Sequence, residues 1–141
     1  MTKVLVAASP EAQVVIARIL AGYELVTAKT MAQAEHTLRE QNFDLIISNI
    51  AFDESKMIDF LRGAKLMPEA QHTPFICAKV SPKVLRTPTA VEAVAYTCLE
   101  LGAAKFLNIT DYNVAPEKEM REDIEQFLRS IQHAGPSQGS S

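Results

Sequence analysis

Side chains able to do chemistry fall at a few places in this chain. The stretch FDLIISNIAFDESKMIDFL, residues 43–61, runs from an apolar strand pattern through a loop into an amphipathic helix pattern. The strand closes on Ser48-Asn49-Ile50, where an acid would be placed to accept a group or hold a cation. An Asn amide offers a carbonyl oxygen but no charge, and it is no nucleophile comparable to a carboxylate. Ala8 and Ser9 follow a first apolar run, Lys79 and Ser81 another, and Asn108 to Thr110 a last one. No catalytic pair, nucleophile elbow or phosphate loop is visible, and Gly22, Gly63 and Gly102 are too scattered for a glycine fingerprint. His36, His72 and His133 have no metal-ligand spacing with cysteines or carboxylates, so neither metal nor cofactor is expected. Cys77 and Cys98 read as buried free thiols.

The totals narrow the function classes. In 141 residues, 48% are hydrophobic and 22% charged, which suits one ordinary globular domain. The net charge of −3 has both signs scattered along the chain, without the basic stripe of a nucleic-acid binder. No apolar run approaches the roughly 20 residues that span a bilayer. The start runs straight into a strand, so no signal peptide is expected and the location expected is cytoplasmic.

The elements that must position these side chains alternate. Apolar runs predict strands over residues 4–7, 24–28, 45–47, 74–78 and 105–107. Ser9-Pro10-Glu11 opens a first helix carrying Val15, Ile16, Ile19 and Leu20, with Ser9 as its cap. Thr30 and Gln33 form a capping box for a second, with Met31, Ala34 and Leu38 on one face. Ser55 or a neighbour caps a third carrying Met57, Ile58 and Leu61. Thr87-Pro88 or Thr89 starts a fourth, with Val91, Val94, Cys98 and Leu101 inside and Gly102 at its end. Pro116 opens the fifth, whose core stripe is Ile124, Phe127, Leu128 and Ile131. Five apolar strands crossing over through five helices predict a parallel sheet covered on both faces, over residues 1–134, with 135–141 as a flexible tail or linker. Ligands and chemistry gather at the carboxyl ends of such strands.

On these residues the chain resembles the response-regulator receiver domain, the CheY-like family. LAGYELVTAKTMAQAEHTLREQNFDLIISNI (20–50) is similar to that family's second strand, second helix and third strand in ungapped register. TPFICAKV (73–80) resembles its fourth strand, and LGAAKFLNIT (101–110) its fifth-strand segment. The resemblance covers about residues 3–132 and implies an α/β, flavodoxin-like, doubly wound sheet in the strand order 2-1-3-4-5. It implies a magnesium-binding acid pair after the first strand, a phosphoacceptor Asp after the third, a Thr or Ser after the fourth and a Lys after the fifth. Matched onto this chain, the acid pair falls on Ala8 and Ser9 or one position earlier, the acceptor on Asn49 and the Thr/Ser on Lys79. The Lys falls on Ile109, or one position away on Asn108 or Thr110. Asp53-Glu54-Ser55-Lys56 stands in place of the family's Pro-Gly element. The segment from Lys79 to Gly102 is several residues longer than the family's spacing.

Those departures set the functional expectation. Magnesium dehydrates reluctantly and needs carboxylates, and phosphoryl transfer needs cations against the developing charge. The pocket therefore reads as degenerate, with Asn49 completing a polar pocket and Ile109 packing. Lys79 has two orientations open to it: inward, taking roughly the volume of the magnesium ion, or outward into solvent from a surface loop. Phe106 stands where the family often carries a mobile Tyr, and a permanently buried ring is expected. The function expected is a phosphorylation-independent protein–protein interaction module in a two-component-type pathway, not an enzyme. Its contacts are a signalling protein or a second copy through the fourth helix, fifth strand and fifth helix, at Ala95, Leu99, Lys105, Phe106, Arg121 and Glu125. The alternative is a small-ligand or anion sensor using Ser9, Asn49, Lys79 and Asn108. Phosphoryl chemistry displaced onto Ser48 or Asp53 is a more distant reading.

Overall fold

A continuous apolar run belongs inside a sheet covered on both faces, and residues 4–7 are fully buried there. The computed structural model describes residues 2–81, 85–109 and 116–133. The expected tail, Thr110, Pro82 and Lys83 lie outside these. The elements are β1 (Lys3–Ala7), α1 (Pro10–Ile19), β2 (Glu24–Ala28), α2 (Met31–Glu40), β3 (Leu45–Asn49), α3 (Phe52–Ser55), α4 (Met57–Leu66), β4 (Phe75–Lys79), α5 (Pro88–Glu100), β5 (Lys105–Asn108) and α6 (Pro116–His133). The strands are parallel in the order β2-β1-β3-β4-β5, as expected.

Alternation of side chains along each strand divides the core. Val4, Val6, Leu45, Ile47, Ile76 and Ala78 face α1 and α6, where Ile16, Ile19, Met120 and Ile124 meet them. Leu5, Ala7, Ile46, Phe75 and Cys77 face α2, α4 and α5, meeting Leu38, Leu61, Ala64 and Cys98. Phe52, Phe60 and Phe75 form a tilted stack on this second side, with centroids 5.5 and 5.4 Å apart. Gly22 (φ 98°) and Gly102 (φ 106°) turn the chain after α1 and α5 in conformations that only glycine adopts cheaply.

The segment after β3 departs from expectation. Instead of one helix capped near Ser55, the chain first makes a single turn, α3, with Asp53, Glu54 and Ser55 at φ 46°, 56° and 67°. This left-handed backbone costs about 1–2 kcal/mol per L-residue. Asp53 Oδ2 accepts the Met31 N–H at 2.8 Å, so its carboxylate caps the positive end of α2. Lys56 Nζ donates to Asp53 O at 3.3 Å and lies 3.8 Å from Asp53 Oδ1. Tertiary bonds offset the local strain, and α4 starts at Met57 with no side-chain cap.

Candidate functional site

Parallel pairing brings the strand ends to one edge. Ala7 pairs with Ser48, Asn49 with Ala78, and Lys79 with Asn108, so the side chains singled out in the sequence converge at the carboxyl end of the sheet. There Asn49 and Ser9 form a reciprocal clasp. Ser9 N donates to Asn49 Oδ1 at 3.0 Å, and Asn49 Nδ2 donates to Ser9 Oγ at 3.1 Å. Ser9 holds the cap position of α1 in extended conformation, but its side chain makes no bond to the helix. That corrects the expectation of a helix cap: the hydroxyl is taken by Asn49, 40 residues away in the chain. Gln13, which the sequence did not single out, donates from Nε2 to Ala8 O at 3.0 Å and Ala28 O at 3.2 Å. It ties the ends of β1 and β2 beneath the clasp. An amide in the first turns of a helix beside a strand end carries too general a signal to have been found in sequence.

Ala8 and Ile109 are buried in the core facing α1 and α6. Lys79 is 3% exposed, so it does not extend into solvent, and it lines a cavity with Asn108 rather than the one with Asn49. Among the described residues, the four expected to share one pocket line two cavities. Ser9 and Asn49 line a cavity of about 230 Å³ with Glu11, Ala12, Ala51, Val80 and Ser81. Lys79 and Asn108 line another, of about 240 Å³, with Leu85, Arg86, Thr87, Pro88, Val91 and Glu92. Ser48 Oγ is buried with no hydrogen-bond partner among the described residues, out of reach of a phosphodonor. Asp53 is occupied at the start of α2.

The residues expected on the interaction face divide. Leu99 is half exposed, and Ala95, Lys105 and Phe106 are partly exposed. Phe106 packs on the core side shared with Cys98 and Val94, so its ring is half-buried rather than enclosed. Lys105 Nζ lies 5.9 Å from the Phe127 ring centroid. Tyr96, one residue from Ala95 and missed in sequence, is 67% exposed. Arg121 and Glu125 belong elsewhere. Arg121 Nη1 donates to Ile19 O and Ala21 O at 2.8 Å each, and Nε pairs with Glu125 Oε2 at 2.9 Å. The guanidinium stacks over Tyr23 at 5.4 Å. Both side chains thus join α6 to the end of α1, where the last carbonyls of that helix need donors. Burial pushes the Tyr23 hydroxyl up, with the Glu125 charge adding to it and Arg121 and Arg129 opposing.

No protein-family model matches the chain, and no curated protein matches it in sequence. Solved structures do match. The signal receiver domain of a signal transduction histidine kinase from Syntrophus aciditrophicus is similar at TM-score 0.70 and 22% identity, over 93% of this chain and 92% of that one. A response regulator from Hahella chejuensis is similar at TM-score 0.71 and 20% identity, over 93% and 97%. The chemotaxis response regulator CheY4 of Vibrio cholerae is similar at TM-score 0.62 and 23% identity, over 91% and 98%.

The chain has the receiver fold.

Within the receiver fold, the donors present at the sheet edge among the described residues do not fit the magnesium ion that the resemblance implies. Ala8 has no ligand atom. Both polar groups of Asn49 are engaged with Ser9, the nearest acid along the chain, Asp53, caps α2, and Glu11 is the single carboxylate among the described residues that line the Asn49 cavity, too few for a magnesium ion. Among the described residues no three His, Cys, Asp or Glu side chains come together as a metal site. The two thiols are free and buried, and the neighbouring Cys98 thiol together with burial pushes the Cys77 thiol up. No described helix is long and apolar enough to cross a membrane.

Proposed function

We propose that the chain is a receiver-like signalling module that acts through protein–protein contact, without phosphorylation of its own, in a cytoplasmic two-component-type pathway. The observation that carries it is the Asn49–Ser9 clasp, a neutral, mutually satisfied pair at the strand end where receiver chemistry needs clustered acids. With both amide positions used, the strand end is held in one arrangement without metal or phosphate. Tyr96 and Leu99 support the contact role. They are large apolar side chains 67% and 49% exposed on α5, bordered by Ala95, with Lys105 and Phe106 on the adjacent edge strand. Aromatic side chains are over-represented at the centres of protein interfaces. The contact face thus comprises α5 and β5 without Arg121 and Glu125. The partner is a signalling protein or a second copy of the chain, and no catalytic step is assigned.

The test pairs Tyr96→Asp with Leu99→Asp, both at exposed positions where folding is spared. Sedimentation reads self-association, and affinity capture followed by binding to the purified partner reads heterologous contact. The expected result is loss of one of these associations in both variants, with the thermal midpoint retained. Both associations unchanged in the variants, or acyl phosphate formed on the wild-type chain with acetyl phosphate and magnesium, overturns the proposal.

A further inference from the structure

The cavity beside the clasp carries a ligand class of its own. It lies where β4 and β5 end and α5 begins, with a volume of about 240 Å³. That is just below the roughly 300–1,000 Å³ of drug-sized sites, so it suits a small metabolite. Two basic side chains line it, Lys79 from the end of β4 and Arg86 from the loop before α5. The Asn108 amide joins them from the paired position on β5. Thr87 and Pro88, at the start of the thirteen-residue α5, line the same space; the Ala90 and Val91 N–H groups are taken by Thr87 Oγ, at 3.1 Å, and Thr87 O, so the helix lends its dipole there and neither of these donors. Leu85, Pro88 and Val91 supply an apolar wall. One acid, Glu92, lines the cavity and is exposed.

We propose that this cavity binds a small phosphomonoester. A Lys point charge and an Arg fork converge, beside the positive end of α5, on a volume that holds one phosphate group and a short carbon body. The apolar wall takes the body. Glu92 repels a second anionic group, which selects against polyphosphates and multiply charged acids. Asn108 donates or accepts at a sugar or polyol hydroxyl. The site is separate from the Ser9–Asn49 cavity and does not depend on the α5 face having a partner.

An amide NMR titration of the full chain tests it, with glycerol phosphate as the probe. Inorganic phosphate and glycerol are the two part-ligands, and chloride at matched ionic strength is the control. Saturable shifts at the amides of Leu85, Arg86, Val91 and Asn108 are expected with glycerol phosphate, weaker ones with phosphate and none with glycerol or chloride. Arg86→Gln weakens binding by about tenfold or more, because a charge-assisted bond is lost. Arg62→Gln, the same charge change at an exposed position on α4, leaves it unchanged. Glu92→Gln tightens binding of a bisphosphate probe more than that of glycerol phosphate. Shifts that stay linear, that chloride reproduces, or that Arg62→Gln weakens as much as Arg86→Gln does overturn the site. Equal response of both probes to Glu92→Gln overturns its selectivity.

Discussion

Asn49→Asp returns an acid to the end of the central strand and asks whether the pocket can use it. Asn49 is 4% exposed, with its oxygen on Ser9 N at 3.0 Å and its nitrogen on Ser9 Oγ at 3.1 Å. An Asp keeps the first bond, and rotation of the Ser9 hydroxyl turns the second into a donation to the carboxylate. Taking that charge out of water costs several kcal/mol. Hydrogen bonds to a charged group return about 1–1.5 kcal/mol each beyond the neutral bonds they replace, which offsets only part of that cost. The net expectation is a loss of about 1–3 kcal/mol near neutral pH, a drop of about 3–10 °C in Tm for a chain of this size. The acid's folded-state pKa lies above its unfolded value, so the loss shrinks as pH falls through the carboxylate range and the group becomes neutral. A magnesium ion held with a Kd of about 1 mM would return about 1.4 kcal/mol at about 10 mM metal. No such return is expected, because Ala8 brings no oxygen and the Ser9 hydroxyl is engaged. Urea unfolding followed by circular dichroism, with and without magnesium, measures this. Mass spectrometry after acetyl phosphate treatment looks for acyl phosphate. Recovery of about 1 kcal/mol or more with magnesium would refute the electrostatic reasoning, as would acyl phosphate on the variant.

The buried thiol makes a pH prediction. Cys77 has its folded-state pKa raised, by the neighbouring Cys98 thiol and by burial. Its contribution is therefore present below the unfolded thiol pKa of about 8.5 and is lost above it, at up to about 1.4 kcal/mol per pH unit. Urea midpoints at about pH 8 and about pH 10 should show a steeper fall for the wild type than for the double variant Cys77→Ala, Cys98→Ala, since the single variant leaves a buried Cys98 thiol that burial alone pushes up, and equal slopes would count against it. The strained turn makes the third prediction. Glu54, at φ 56°, gives up about 1–2 kcal/mol of left-handed strain on replacement by Gly, against about 0.5–1 kcal/mol of added unfolded-state entropy. Glu54→Gly should raise stability by about 0.5–1 kcal/mol, and a destabilised variant in the same urea assay would show that the turn is not strained.

Much of the fold is legible in the chain because its signals are local. The run 45–47, the Thr30–Gln33 cap, the Pro88 start and Gly102 at the end of α5 each state an element within a few residues. Crossover helices between apolar strands leave few topologies. The turn at Asp53 is not legible, because what holds it is the Met31 N–H, 22 residues away. Neither is the orientation of Arg121. A periodic pattern gives the face of α6 toward the sheet, while the choice between neighbours on its flanks depends on where the carbonyls of Ile19 and Ala21 end up.

The sequence by itself determined which residue types stand at the ends of these strands, Ala8, Asn49, Lys79 and Asn108, none of them an acid. Only the tertiary structure decided how the remaining polar groups pair. It clasped Ser9 to Asn49 across 40 residues, buried Lys79, and parted one expected pocket into two. The reason is that a strand's own pattern sets which face a side chain takes, but hydrogen-bond partners are chosen among groups that only folding brings within about 3 Å.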